Sequence, residues 1–157
     1  MSNKKQRIDR AKPWVIAADH ARARFFSALV PQGPLKELDG LVNGDARLHD
    51  GDLVSDARGS LVHGRRSKNG GGHTAGDEHS AKNNVIEKFA QRVAKAVHKA
   101  HAVGAVSKVY LVAEPGFLGV LRTHLDENIS RIVAGDIGLR LTDLTASEIR
   151  KHLPEML

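Results

Sequence analysis

A basic, glycine-rich stretch between Arg58 and Gly76 holds the residues with the clearest potential for chemistry. It contains no acidic residue, and four cations give it a charge of +4: Arg58, Arg65, Arg66 and Lys68. Three of its glycines are consecutive: Gly70, Gly71 and Gly72. Because they lack a Cβ, their backbone can approach a ligand closely and offer consecutive N–H groups to an anion. The stretch, with His73 directly after the glycines, therefore predicts a site for phosphate groups or RNA.

The segment that follows has the periodicity of an amphipathic helix. Apolar residues at three- and four-residue spacing predict one buried face: Val85, Ile86, Phe89, Val93, Ala96, Val97 and Ala100. We expect the helix to start at Asp77 or Ser80 and to end at Gly104. Four basic residues form a second stripe, here called the basic ridge: Lys88, Arg92, Lys95 and Lys99. The basic ridge and the preceding loop are expected to contact phosphates together.

Histidines and acids near the start of this helix are a candidate metal site. His63, His73 and His79 lie close in sequence to Asp77 and Glu78. Their spacing fits no compact zinc motif, so solvated loop histidines are the better interpretation. We predict no metal ion and no other cofactor.

Composition limits the class of protein. The chain has 157 residues, of which 41% are apolar and 27% charged, as expected for one globular domain. It has no cysteine, which fits a reducing compartment. Neither a secretory signal nor a run of roughly 18 apolar residues occurs. We expect a cytoplasmic protein with a flexible basic tail at residues 1–12 and a single α/β domain at 13–157. Its net charge of +6 favours polyanionic partners.

The order of predicted elements indicates the fold class. Strands are expected at residues 14–19, 22–29 and 35–42, with turns that favour an antiparallel meander. A short strand at 60–63 is also possible. A central strand at 109–113 precedes a helix that starts after Glu114. Another strand is expected at either 129–134 or 138–141, and Thr145 with Glu148 forms a capping box for a last helix. Alternating helices and strands after the meander predict a mixed sheet covered by helices.

This order is similar to the ribonuclease H-like fold, and three sequence patterns resemble a family, the bacterial host attachment proteins, required for attachment to host cells. The patterns are WVIAADHARARFF at residues 14–26, VYLVAEPGFLGVLR at 109–122 and TDLTASEIRKHL at 142–153. The resemblance extends over nearly the whole chain, from about residue 14 to residue 153.

Host attachment proteins are in turn similar to the central domain of archaeo-eukaryotic peptide-release factors. In that domain a Gly-Gly-Gln loop precedes a long helix and enters the peptidyl-transferase centre. In this chain His73 follows Gly71 and Gly72 in place of the glutamine. The resemblance thus implies the position of the loop, and the ribosome or a structured RNA as partner, but not peptide release. We also expect no membrane as a partner, because no apolar run of the sequence is long enough to span a bilayer.

Ribonuclease H-like nucleases hold two metal ions with carboxylates, and Asp19, Glu87 and Glu114 are coarse matches to these positions. Such a cluster would activate water and stabilise a leaving phosphate oxygen. Glu87, however, lies off the predicted apolar face of its helix.

Three functional hypotheses follow. The preferred one is a non-catalytic module that binds the ribosome or another structured RNA. The second is a role in attachment to host cells, either at the surface or indirect. The third is a hydrolase, either a metal-dependent nuclease or a peptidyl-tRNA hydrolase that uses His73. We expect a binding module rather than an enzyme.

Overall fold

A computed structural model describes residues 11–46 and 75–157 of the chain. This part has a mixed α/β fold with a six-stranded sheet, which confirms the predicted class. The strands are β1 (Lys12–Ala18), β2 (Arg22–Ala28), β3 (Leu35–Glu37), β4 (Leu41–Val42), β5 (Val106–Ala113) and β6 (Val133–Ile137). The helices are α1 (Ala75–Ala102), α2 (Pro115–His124), α3 (Glu127–Ile132) and α4 (Ala146–Lys151), and residues 44–46 are also helical.

The sheet is built outward from β1. This strand begins at Lys12, the last residue of the predicted tail, and pairs antiparallel with β2 in the predicted hairpin. On its other side β1 pairs parallel with β5, and β6 lies parallel beyond β5. The strand order is β3-β2-β1-β5-β6. After β1 the chain continues to β2 on one side of the sheet, and after β5 it continues to β6 on the other side. The carboxyl ends of β1 and β5 therefore flank a topological switch point.

The third predicted strand, at residues 35–42, is split into β3 and β4. Phe26 pairs with Glu37, and Ala23 pairs with Leu41. An advance of three residues along β2 therefore lies opposite an advance of four residues from β3 to β4. One extra residue therefore bulges out between the two short strands. Gly40 lies in this bulge, where a Cβ would be 2.7 Å from the carbonyl oxygen of Ala23. The close approach of the two backbones requires glycine at this position.

Both faces of the central strands are buried. On one face, Ile16 and Leu111 pack beneath α1, α2 and α3. On the other face, Val15 and Val112 pack beneath α4 and the chain around it. Burial on both faces explains why β1 and β5 appear in the sequence as continuous apolar runs.

Helix α1 confirms the predicted amphipathic helix and ends as expected. Its last residue is Ala102, and Gly104 follows with a φ of 74°. The N–H of Gly104 donates to the carbonyl of His101, and the N–H of Ala105 donates to that of Ala100, at 2.9 Å each. These two bonds form a Schellman motif, in which glycine adopts the left-handed conformation at low cost.

The region around residue 130 differs from the prediction. Both expected ranges, 129–134 and 138–141, are largely wrong, because residues 127–132 form α3 and the strand β6 lies at 133–137. The carboxylate of Asp126 accepts a hydrogen bond from the N–H of Ile129 at 2.8 Å and caps this helix. Its apolar residues therefore follow a helical rather than a strand period, with Ile129 buried against the sheet.

Helix α4 has the predicted capping box. The Thr145 hydroxyl accepts from the N–H of Glu148, and the Glu148 carboxylate accepts from the N–H of Thr145. These bonds satisfy two donors at the start of a helix of only 6 residues. The helix places Ile149, which is fully buried, on the second face of the sheet.

We expect Thr145→Ala to lower the free energy of unfolding by about 1 kcal/mol, since alanine cannot accept the capping bond. Ser147→Ala changes a hydroxyl that lies within the same helix and is exposed, and should change stability little. Urea denaturation of both variants measures the difference. Equal effects of the two substitutions would show that the capping box does not stabilise α4.

Candidate functional site

The basic ridge lies on the solvent side of α1. Its four side chains are exposed, whereas Phe89, Val93 and Val97 on the same helix are buried. At 3.6 residues per turn, the ridge occupies an arc of about 60°. Ala90 and Ala94, which are not part of the predicted apolar stripe, are also buried. The centre of the buried face is therefore further from the ridge than the sequence predicts. The ridge is therefore nearly opposite the core.

Little within the described chain neutralises the ridge. Arg92 donates to the carbonyl oxygen of Val42 at 3.2 Å, and its guanidinium lies 5.7 Å from the ring centroid of Phe89. The three lysines form no hydrogen bond or ion pair with the described residues. From residue 79 onward the only acid on α1 is Glu87, which contacts His124 on α2 instead. The ridge thus presents one sign of charge to solvent.

The loop half of the predicted site lies outside the described residues. This holds for the cations Arg58, Arg65, Arg66 and Lys68, for Gly70, Gly71, Gly72 and His73, and for the possible strand at 60–63. His63 lies outside them as well, whereas His79 is exposed on α1. In sequence, α1 begins two residues after His73, so the loop leads directly into the helix that carries the ridge.

Asp19, the first candidate nuclease ligand, has a structural role. Its side chain is 1% exposed and accepts hydrogen bonds from the N–H groups of Ala21 and Arg22 at 2.7 and 2.9 Å. The hydroxyl of Thr142 also donates to it, and Arg140 lies 3.4 Å away. Burial alone would raise the pKa of Asp19, but these hydrogen bonds and the guanidinium together lower it below its usual value. The carboxylate closes the β1–β2 turn and fastens residues 140–142 to it.

The other two candidate ligands, Glu87 and Glu114, border a cavity of about 420 Å³. Glu114 accepts from Nδ1 of His20 at 3.1 Å, and Glu87 contacts Nε2 of His124. The full lining is His20, Asn83, Ile86, Glu87, Glu114, Gly116, Phe117 and Val120. Asp19 does not belong to it, so the structure does not bring the three carboxylates together. Within residues 11–46 and 75–157, no group of three or more His, Cys, Asp or Glu side chains is placed to hold a metal ion.

The sequence interpretation missed the histidines that hold these carboxylates. His20 is the second residue after β1, at the same edge of the sheet as Glu114, and its position beside Asp19 was an available signal. His124 ends α2 and is 37 residues from Glu87 in sequence, so no local pattern connects them.

Among the helices that the structure describes, none is long and apolar enough to cross a membrane.

We expect Asp19→Asn to lower the free energy of unfolding by about 1–3 kcal/mol at pH 7, since the amide cannot accept all the bonds of the carboxylate. Because folding lowers the pKa of Asp19, its contribution is complete above about pH 4 and is lost as the pH falls through the folded-state value. The difference from the unsubstituted chain should therefore be constant above about pH 5 and shrink as the pH falls below about 4. Urea denaturation across this range measures it.

Asp39→Asn provides the matched control, because Asp39 is exposed. It should leave stability nearly unchanged at every pH. A loss at Asp19→Asn that did not vary with pH would contradict the role given to its charge.

Comparison with known proteins adds one finding. No match was found among curated proteins. The family model described as "Protein required for attachment to host cells" matches residues 14–153, which cover nearly all of the chain and every strand and helix of the described fold apart from the first two residues of β1. This chain therefore belongs to the host attachment protein family.

Proposed function

We propose that this protein is a cytoplasmic module, similar to the central domain of release factors, that binds the ribosome or another structured RNA. The observation that carries the proposal is the basic ridge, whose four exposed cations lie along α1 on the side away from the core. The strand order around β1 and the parallel β1–β5 pair support a ribonuclease H-like assignment for the fold. The basic loop before α1 is the second contact in this proposal.

The ridge has the dimensions and charge to bind a polyanion. From Lys88 to Lys99 it extends about 16 Å along the helix axis, enough to meet several phosphates. Each contact releases condensed counterions, so the logarithm of the binding constant should fall with the logarithm of salt concentration by about 0.7 to 0.9 per phosphate. Four ridge contacts alone give a slope of about −3.

Contact with phosphates is favoured over reading of bases. Most aromatic side chains of the described chain are internal: Phe25, Phe26, Phe89, Tyr110 and Phe117 are all buried. Base stacking needs exposed rings. The shape and charge of the RNA are therefore the features that this protein recognises.

Catalysis is not part of the proposal. A metal-dependent nuclease would need Asp19 beside Glu87 and Glu114, but Asp19 is committed to the β1–β2 turn. Peptide release would need glutamine after Gly71 and Gly72, where the sequence has His73.

We expect the triple substitution Lys88→Gln, Lys95→Gln and Lys99→Gln to weaken binding to purified bacterial ribosomes about tenfold or more at moderate salt. The slope of the binding constant against salt should become shallower by about 2 to 3, because three phosphate contacts are lost. Co-sedimentation between about 50 and 300 mM potassium chloride measures both quantities.

The matched control removes the same charge elsewhere, through Lys36→Gln, Lys108→Gln and Lys151→Gln on β3, β5 and α4. It should keep the slope of the unsubstituted chain. Equal losses in the two triple variants would mean that net charge alone drives binding. Absence of binding at low salt would refute the proposal.

The family's link to attachment fits this proposal if it is indirect, for example through translation of surface components. We expect the native protein in the ribosomal and cytosolic fractions of cells. Recovery of most of it from the cell surface or the medium would instead favour direct adhesion.

A further inference from the structure

The cavity at the carboxyl ends of β1 and β5 is separate from the basic ridge and differs from it in electrostatic character. It lies between α1, α2 and the β1–β2 turn, at the topological switch point of the sheet. Open α/β sheets bind ligands preferentially at this position. Its volume of about 420 Å³ is within the range of small-molecule sites.

Two carboxylates give the cavity its charge. Glu87 reaches it from α1, and Glu114 reaches it from the end of β5. Each is held by a histidine, and neither is paired with a lysine or arginine of the described chain. By contrast, several carboxylates elsewhere in the fold contact arginines, as Glu37 does with Arg24. Thus a protein with a net charge of +6 has a small pocket that favours cations.

The remaining walls are largely apolar. Ile86, Phe117 and Val120 line the cavity, and the Phe117 ring is almost fully buried at 2% exposure. Carboxylates beside an apolar, partly aromatic wall suit a ligand that has a charged nitrogen and a carbon body. A hard divalent cation prefers six or more oxygen ligands instead, and an anion would be repelled by both glutamates.

We propose that this cavity binds a small organic cation, with an ammonium or guanidinium group on a compact apolar body. Glu87 and Glu114 bind the charged nitrogen from two sides, while the apolar wall covers the body of the ligand. His20 and His124 fix the positions of the two carboxylates. Asn83 provides a further polar contact at the rim. This site is independent of RNA binding by the ridge.

A pair of probes with the same shape tests the role of charge. Benzylamine carries an ammonium group at neutral pH, whereas benzyl alcohol is uncharged. In a titration of the ¹⁵N-labelled full chain, benzylamine should give saturable shifts at the amides of Glu87, Gly116 and Val120. Benzyl alcohol should bind about tenfold more weakly, the effect of losing two partly exposed ion pairs. Equal affinities, or no saturable shifts with benzylamine, would overturn the proposal.

Substitutions test the two carboxylates. The double variant Glu87→Gln and Glu114→Gln should bind benzylamine about tenfold more weakly. Because glutamine still accepts a hydrogen bond from histidine, the fold should persist, and thermal melting checks this. The control Glu127→Gln with Glu155→Gln removes the same charge from exposed positions outside the cavity and should keep full affinity.

Unchanged benzylamine affinity in the cavity variant, or an equal loss in both variants, would rule out this site. Co-sedimentation of the cavity variant with ribosomes separates the two proposals, since the basic ridge is intact in it. Retained ribosome binding with lost benzylamine binding supports two independent sites. Loss of both in a folded variant would contradict their independence.

Discussion

The parallel pairing of β1 with β5 is the contact on which the rest of this fold depends. Val15 lies opposite Tyr110, so the pairing joins parts of the chain 95 residues apart. A parallel pair requires a crossover, and here α1 belongs to it and covers one face of the sheet. The pairing also brings Asp19 and Glu114 to the same edge, because each follows the carboxyl end of its strand.

These two acids show how neighbouring donors decide the role of a residue. Asp19 meets two backbone N–H groups and a hydroxyl, so its oxygens are committed to holding the chain around Thr142. Arg22 and Arg24 strengthen the same attachment by donating to the carbonyl of Thr142. Glu114 meets only an imidazole and borders the cavity. The two acids have equivalent positions in the sequence, each directly after a strand. Their different hydrogen-bond donors give them different roles.

Features that depend on local periodicity could be predicted from the sequence. The spacing of Phe89, Val93 and Val97 defines a helical face, and the same spacing places the lysines of the ridge away from it. The capping box at Thr145 is a contact between residues three apart, and Gly104 ends α1 through bonds within two turns. In each case the contacting atoms belong to the same short segment.

Features that depend on distant contacts could not be predicted. The bulge at Gly40 exists because its backbone approaches that of Ala23, which the sequence of the third strand does not reveal. Helix α3 is too short for its period to be distinguished from a strand. The pair His20–Glu114 joins residues 94 apart and exists only once β1 and β5 are aligned. The cavity was therefore beyond sequence-based prediction, although one of its histidines follows a predicted strand.

The length of α1 has a consequence for cooperativity. The helix begins at Ala75, and from residue 79 onward its first fully buried residue is Phe89, which lies about 20 Å along the axis from Ala75. Residues 79–84 are all exposed, and isolated helices shorter than about 12 residues are marginal in water. The amino-terminal turns are therefore stabilised mainly because they continue the part of α1 that packs against the sheet. A ligand that contacts those turns would be thermodynamically linked to their helical content, so binding there and helix extension would reinforce each other.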